Sequence, residues 1–178
     1  MDKLFRENEK NPPIPKNMPP KSGSIAWARS IITRIKTPID KFKTKPEILT
    51  KYEEGITSAQ DYVRLAKHLT EHHEAKIFEN WKNENTSAAI AMLKKPILIK
   101  EGNGDNRKYK VNFNPQLKVI IREAKFLDRI GKEIPNTIIN IALQEKDYMR
   151  HIDKLNQLLR GYNSALQNLR PVEKGLLE

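Results

Sequence analysis

Two histidines one helical turn apart come closer to a metal site than any other side chains in this sequence. A helix would place His68 and His72 on one face, where both imidazoles could ligate a metal ion. The run His-Glu-Ala-Lys-Ile at 73–77 lacks the second histidine that a zinc-protease signature requires. We therefore predict surface and seam histidines and no metal site.

Two pairs of carboxylates could supply a general acid and a general base. Glu71 with Glu74, and Asp147 with Asp153, lie among lysines on faces that we predict to be exposed. Acid catalysis near neutral pH needs a buried setting that raises a carboxyl pKa, and nothing around these residues indicates one. We predict that all four are solvated charges.

A phosphate-binding loop is missing from the sequence. Nucleotide-hydrolysing motors hold phosphate with Gly-x-x-x-x-Gly-Lys-Ser/Thr between a strand and a helix, and no such run occurs here. Gly102 and Gly104 are better explained as turn glycines. Because no acid, base, nucleophile and metal ligands converge, we expect no catalytic residue, no bound cofactor or metal and no enzymatic activity in this segment.

Aromatic side chains near an arginine are the candidates for contact with a partner. Trp27 lies off the main apolar stripe of its predicted helix, close to Arg29, and both residue types are enriched at interface hot spots. Phe78 and Trp81, toward the end of the second predicted helix, are similar candidates. Burial in the core is the alternative explanation for all three aromatic side chains.

The first third of the chain predicts an arm followed by an amphipathic helix. Residues 1–21 contain five prolines among polar residues, which remove backbone donors and favour an extended Pro-rich linker. Ser22-Gly23-Ser24 offers an N-cap, and apolar residues then recur at spacings of three and four as far as Phe42. Pro38 is expected to kink this helix.

A long second helix is predicted to follow. Thr44 and Glu47 have the spacing of a capping box, so that the helix should begin there. An apolar heptad stripe then continues toward Trp81, and the helix could extend as far as Leu93. Gly55 should cost it about 1 kcal/mol relative to alanine.

The hydrophobic period changes after this helix. Alternating apolar residues on either side of a Gly-Asn-Gly-Asp-Asn turn predict a β-hairpin at about 96–113. Asn114-Pro115 then supplies an N-cap and first helical position, and Gly131 should end a short third helix.

The last helix carries the clearest pattern in the sequence. From Ile138 to Leu169, residues at heptad a and d spacing are apolar or aromatic, and only Glu145 interrupts them. A helix this long needs partners along its length, and antiparallel packing against the second helix would provide them. We therefore predict a mainly α fold, an antiparallel helical bundle over 22–169 with one small β-hairpin insertion. Residues 170–178 should begin a further helix.

Composition and charge restrict the possible partners. With 38% apolar and 31% charged residues and a mean hydropathy of -0.70, apolar surface must lie in narrow stripes. No apolar stretch could span a membrane, no signal peptide is recognisable, and there is no cysteine, so we expect a cytoplasmic protein without a membrane partner. The net charge is +11, of which residues 1–51 carry +7 (12 Lys/Arg against 5 Asp/Glu). Because no aromatic or Gly-rich element interleaves with the lysines, we expect no nucleic-acid partner.

One run of residues suggests a family. Met18-Pro19-Pro20-Lys21-Ser22-Gly23-Ser24-Ile25-Ala26-Trp27-Ala28-Arg29 resembles the Pro-Pro, Gly, Trp-Ala-Arg signature of the N-terminal tail of dynein heavy chains. The hairpin that closes in Val-Asn-Phe-Asn-Pro at 111–115, followed by Ile-Arg-Glu-Ala-Lys-Phe-Leu-Asp-Arg-Ile-Gly at 121–131 and Ile134-Pro135, is also similar. The second run resembles axonemal chains more than the cytoplasmic one, and the likeness covers roughly residues 18–178.

This resemblance implies a structural role. The family's tail is built of successive helical bundles that bear load and dock intermediate chains, light chains, other dynein heavy chains or axonemal docking proteins. The parent chain would be an ATP-driven microtubule motor in the axoneme of cilia or flagella, with ATP and Mg bound in a motor region outside this segment.

Other functions remain possible from the sequence alone. A freestanding helical adaptor or scaffold would bind other coiled coils through its seams, and its gene would end near Glu178. A basic nucleic-acid-binding protein would lose affinity steeply as salt rises. An enzyme is the least supported, because no set of residues converges on a reaction.

Overall fold

A computed structural model describes residues 2–102 and 108–169 of the chain. It divides into two compact units, unit 1 (Met1–Glu84 and Arg122–Ile134) and unit 2 (Asn85–Ile121 and Pro135–Glu178). The mainly α prediction with one small hairpin is confirmed. Residues 103–107, in the predicted hairpin turn, and residues 170–178, predicted to begin a further helix, lie outside the described part.

The helices begin with two that enclose the proline-rich segment. They are α1 (Asp2–Asn8) and α2 (Pro20–Phe42). The prediction of an extended linker over residues 1–21 is therefore wrong at its start, because Phe5 of α1 is only 2% exposed and its burial stabilises a short helix there. It joins Ala28, Ile31 and Leu69 in a buried cluster in unit 1.

Proline, and not serine, begins α2. Pro19 adopts an extended conformation and Pro20 occupies the first turn, where the missing N–H is not needed. Ser22, in the segment predicted to supply the cap, is the third residue of the helix and is buried. Pro38 lies within the helix, which continues to Phe42.

The predicted capping box does not form. The Thr44 hydroxyl donates to the carbonyl of Lys41 at 2.8 Å, and Glu47 begins only the four-residue α3 (Glu47–Thr50). Tyr52 is extended and separates α3 from α4 (Glu53–Lys67). The second predicted helix therefore begins eight residues later than the sequence indicated, with Tyr52 and not Thr44 before its first residue, since Thr44 satisfies a local carbonyl instead of a helix N-terminus.

From Glu53 the helix continues to Leu93, as predicted, but with a change of register. A π-helical segment (His68–Glu74) joins α4 to α5 (Ala75–Leu93). Its backbone hydrogen bonds join residues five apart, and Leu69 and Glu74, five residues apart, are both buried. The segment thus places a carboxylate among core residues of unit 1.

The hairpin and the third helix are confirmed. Strands β1 (Leu98–Glu101) and β2 (Lys108–Val111) pair antiparallel. Helix α6 (Gln116–Arg129) is capped by the Asn114 side chain, which accepts from the Gln116 N–H at 2.9 Å. It ends at Gly131, whose φ of 81° is a left-handed conformation that glycine adopts without strain.

The last predicted helix is broken into two. Helices α7 (Asn136–Leu143) and α8 (Glu145–Asn168) meet at Gln144, whose ψ of 1° is not helical. The break lies one residue before Glu145, which interrupts the predicted seam. The α8 seam is mostly half-buried, no α8 residue is fully buried, and α8 packs on β2 and α7 within unit 2.

Candidate functional site

A buried carboxylate in unit 1 lies between two cations. Glu74 is 5% exposed, and its Oε1 accepts from Arg29 Nη2 at 2.5 Å and lies 2.6 Å from Lys132 Nζ. Arg29 Nε donates to the other carboxylate oxygen at 3.0 Å, and its Nη1 donates to the Ile130 carbonyl at 2.6 Å. This ion-pair network joins α2, the π segment and the turn after α6.

The network keeps Glu74 ionised. Burial by itself raises the pKa of the Glu74 carboxyl, but the hydrogen bonds and charges of Arg29 and Lys132 outweigh it and hold the pKa below its ordinary value. The same hydrogen bond raises the pKa of Arg29. The prediction that Glu74 is a solvated charge is wrong, because the π segment turns it inward. A carboxyl with a lowered pKa is also unsuited to act as a general acid.

The turn after α6 positions Lys132 for this contact. The Gly131 N–H donates to the Asp128 carbonyl at 2.8 Å and the Lys132 N–H donates to the Leu127 carbonyl at 3.0 Å. This is the Schellman pattern that a left-handed glycine permits. Lys132 Nζ also lies 5.6 Å from the centroid of the Phe78 ring.

A second buried carboxylate binds the N-terminus of α2. Glu123 on α6 is 3% exposed. Its two oxygens accept from the backbone N–H groups of Lys21 at 3.2 Å and Ser22 at 2.5 Å. These are N–H groups that a helix cannot satisfy internally, so Glu123 replaces the local cap that α2 lacks. Sequence reasoning missed it, because the partners are about a hundred residues apart.

His73 lies next to α1 and not in a metal site. Its ring is 5.0 Å from the Phe5 ring in an edge-on arrangement, its Nδ1 is 3.8 Å from Glu9 Oε1, and its Nε2 is 3.5 Å from the Ser24 hydroxyl. Burial lowers the pKa of His73, although Glu9 acts in the opposite direction.

His68 and His72, the histidines one helical turn apart, lie next to each other in the structure. Their ring centroids are 5.5 Å apart. Among the described residues no group of three or more His, Cys, Asp or Glu side chains could hold a metal ion.

The four candidate partner-contact residues are largely engaged within unit 1. Phe78 and Trp81 are 8% and 3% exposed, and their rings stack at 6.1 Å. Trp27 is half-buried and stacks on Phe5 at 5.6 Å. Arg29 belongs to the ion-pair network described above. Of these side chains, Trp27 and Arg29 retain exposed area, and contact with a partner stays a prediction.

The whole chain, residues 1–178, matches the family model described as dynein heavy chain, N-terminal region 1. The chain belongs to this family. The resemblance indicated by the Pro-Pro, Gly and Trp-Ala-Arg residues is thereby confirmed. Within that motif region, Ser22 and Ala28 are buried and Arg29 is ion-paired in unit 1.

The chain is similar to heavy chains named as axonemal or flagellar dyneins. The chain is 31% identical to human dynein axonemal heavy chain 10 over 100% of its length. It is 34% identical, over 88% of its length, to the dynein-1-alpha heavy chain of the flagellar inner arm I1 complex of Chlamydomonas reinhardtii. It is 30% identical, over 93%, to the gamma chain of that organism's flagellar outer arm. The chain spans only about 3% to 4% of the length of these relatives.

Proposed function

We propose that this chain is a structural segment of the tail of an axonemal dynein heavy chain, where it bears load and docks partner chains. The observation that carries the proposal is the match to the heavy-chain N-terminal region over all 178 residues, together with relatives named as axonemal and flagellar dyneins. The parent chain would be an ATP-driven microtubule motor in the axoneme of a cilium or flagellum.

Two features of unit 1 support a load-bearing role. Glu74 and Glu123 each connect elements that are far apart in sequence, through contacts to Arg29, Lys132 and the start of α2. Such contacts oppose separation of the helices when the chain is pulled along its length. No helix among the described residues is long and apolar enough to cross a membrane.

The proposed partners are dynein intermediate and light chains, other dynein heavy chains or axonemal docking proteins, with microtubules reached through the parent motor. ATP and Mg would be bound by the motor region and not by this segment. A freestanding adaptor is the alternative. It would share the helical seams but would not be recovered with other dynein subunits.

The test is immunoprecipitation from a high-salt extract of axonemes, with an antibody raised against this chain. We expect intermediate chains, light chains or a second heavy chain among the recovered proteins by mass spectrometry. Recovery of the antigen without any dynein subunit would contradict the proposal. Precipitation in the presence of excess recombinant chain, which should abolish the recovery, is the control.

A further inference from the structure

Backbone groups of β1 alternate between those that face β2 and those that face away. The Asn112 N–H donates to the Ile97 carbonyl at 2.7 Å, one step before the pairing of Leu98 with Val111. In an antiparallel ladder, residue pairs that exchange backbone hydrogen bonds alternate with pairs whose N–H and C=O groups point away from the partner strand. The outer edge of β1 therefore presents the N–H and C=O groups of Leu98 and Lys100.

The outer edge of β2 is closed by a side chain. The Tyr109 N–H donates to Asn163 Oδ1 at 3.2 Å, and Asn163 Nδ2 donates to the Tyr109 carbonyl at 2.9 Å. The amide of Asn163, on α8, thus satisfies the two groups that a third strand would bond. The Tyr162 ring packs edge-on against Tyr109 at 5.7 Å.

The outer edge of β1 has no such cover in the part of the chain that the structure describes. The sheet there has two strands, and all four β1 residues are exposed. Ile97, Leu98 and Ile99 are 47%, 39% and 37% exposed. An apolar edge strand with free backbone groups is a template for pairing with another chain.

Charge around this edge favours one kind of partner. Five exposed lysines and a single acidic residue, Glu101, lie in the described residues 94–102 and 108–111, a net charge of +4 (five minus one). The lysines are Lys94, Lys95, Lys100, Lys108 and Lys110. An acidic strand would gain attraction here, whereas a basic strand would be repelled.

We propose that the outer edge of β1 binds an extended acidic segment of a partner protein, which adds to the hairpin as a third strand. Main-chain hydrogen bonds to Leu98 and Lys100 would hold the segment, Ile97 and Ile99 would contact its apolar side chains, and the lysines would select its charge. The inference rests on the proposed docking role, for which it specifies the chemistry of a partner.

A peptide of four Glu-Val repeats, labelled with fluorescein, is a suitable probe, with Ser-Val and Lys-Val repeats of the same length as controls. We expect saturable binding of the acidic peptide to the full chain, weaker at higher salt, and little binding of the basic one. Addition of the acidic peptide should slow amide hydrogen exchange at Leu98 and Lys100.

Two variants locate the binding. Leu98→Pro removes an outward N–H that the β1–β2 ladder does not use, and proline is tolerated at a strand edge. We expect it to weaken binding by about tenfold or more, since an outward hydrogen bond and its neighbours are lost. The double variant Lys94→Glu/Lys95→Glu should weaken binding of the acidic peptide similarly. Lys146→Glu/Lys154→Glu, on the exposed face of α8, has the same change in charge and is the control. Slow exchange at Lys110, within the ladder, reports that the hairpin is intact.

Three results would overturn the inference: no saturable binding of the acidic peptide, unchanged exchange at Leu98 and Lys100, or unchanged affinity of Leu98→Pro. Self-association through the same amides without peptide would also overturn it, because a second copy would then occupy the edge. Recovery of the native chain with dynein subunits would leave the proposed function standing in each case.

Discussion

At the scale of single residues, Glu74 is the buried counter-ion of two cations in unit 1, Arg29 and Lys132. Replacing it with glutamine would leave Arg29 and Lys132 without their shared counter-ion in a largely buried place. Breaking a fully buried pair costs about 3–5 kcal/mol. Because the Arg29 side chain is 40% exposed, we expect Glu74→Gln to lower the free energy of unfolding by about 2 kcal/mol. Urea denaturation of both chains measures this change in the free energy of unfolding.

Glu79→Gln is the matched control. Glu79 makes an exposed contact with Lys82 one helical turn away, so its loss should change stability by less than about 0.5 kcal/mol. Equal effects of the two substitutions would mean that the Glu74 network does not stabilise the fold.

His73 should make stability fall in mild acid. Burial lowers its pKa in the folded chain, so the unfolded chain binds the proton more readily, and stability is lost as pH falls below the ordinary histidine pKa of about 6.5. His73→Gln should therefore flatten stability between about pH 7 and pH 5, where Glu9, Glu74 and His68 are the other titratable groups near it.

Thermal melts of the original chain and of His73→Gln between about pH 7 and pH 5 provide the test. His72→Gln, at an exposed neighbouring position, is the control for the histidine-to-glutamine substitution itself. Glu74 contributes separately at lower pH. Because its pKa is lowered in the folded chain, the stability that it contributes is lost as pH falls through that lowered pKa. An unchanged slope in His73→Gln would contradict the assignment.

Sequence patterns predicted some of these residues and missed others for identifiable reasons. Asn114 and Gly131 were found because caps depend on local chemistry. Glu74 and Glu123 were missed because their partners are distant in sequence, and because a π segment shifts the helical register in a way that a period of 3.6 does not reveal. Phe78 and Trp81 were ambiguous because cores and interfaces use the same aromatic residues.

At the scale of elements, Gly55 is a position where alanine should be harmful. Helix propensity alone predicts a gain of about 1 kcal/mol for Gly55→Ala. An added Cβ, however, would overlap the backbone carbonyl of Ile48, which cannot move without moving α3. We expect Gly55→Ala to destabilise the chain by about 1–3 kcal/mol, the typical cost of overpacking.

Gly161→Ala provides the comparison within another helix. Outside the adjacent turns of its own helix, no described atom lies within 4 Å of a Cβ at Gly161, so the same substitution should stabilise α8 by up to about 1 kcal/mol. Chemical denaturation of both variants checks the signs. A gain in stability for Gly55→Ala would show that α3 does not lie against α4 as described.

The short helix α1 should be held by one side chain. Phe5 is 2% exposed and contacts Trp27, Leu69 and His73. Phe→Ala substitutions in cores cost about 3–5 kcal/mol. We expect the lower end of this range for Phe5→Ala, because α1 can detach, and we expect new protease cleavage within residues 2–19.

Phe42→Ala, at a side chain that is 43% exposed, is the control and should leave the digestion pattern unchanged. Unaltered digestion of Phe5→Ala would refute the anchoring role.

The predicted elements agree with the structure where a hydrophobic pattern or a turn signal is clear, and they differ where a helix is briefly interrupted. The hairpin and α6 follow from local turn and cap residues. The α7–α8 break was missed because the heptad pattern continues across it, so that periodicity alone cannot distinguish one helix from two with the same register. Helix α1 was missed because its stability comes from the burial of Phe5, which depends on residues far along the chain.

At the scale of the whole molecule, the two units differ in the features that the proposed function requires. Unit 1 contains the ion-pair network of Glu74 and the buried cluster of Phe5, Ala28, Ile31 and Leu69, which oppose separation of its helices. Unit 2 contains the long α8 without a fully buried residue and the open edge of β1. We therefore assign load-bearing to unit 1 and docking to unit 2 within the proposed function.

The mass of the native polypeptide tests most directly whether this sequence forms part of a dynein heavy chain. An antibody against the chain would detect the band, and peptide mapping would identify it. We expect a band many times larger than 20.7 kDa that also yields peptides from a phosphate-binding loop. A band near 20.7 kDa would contradict the claim and indicate a small helical adaptor.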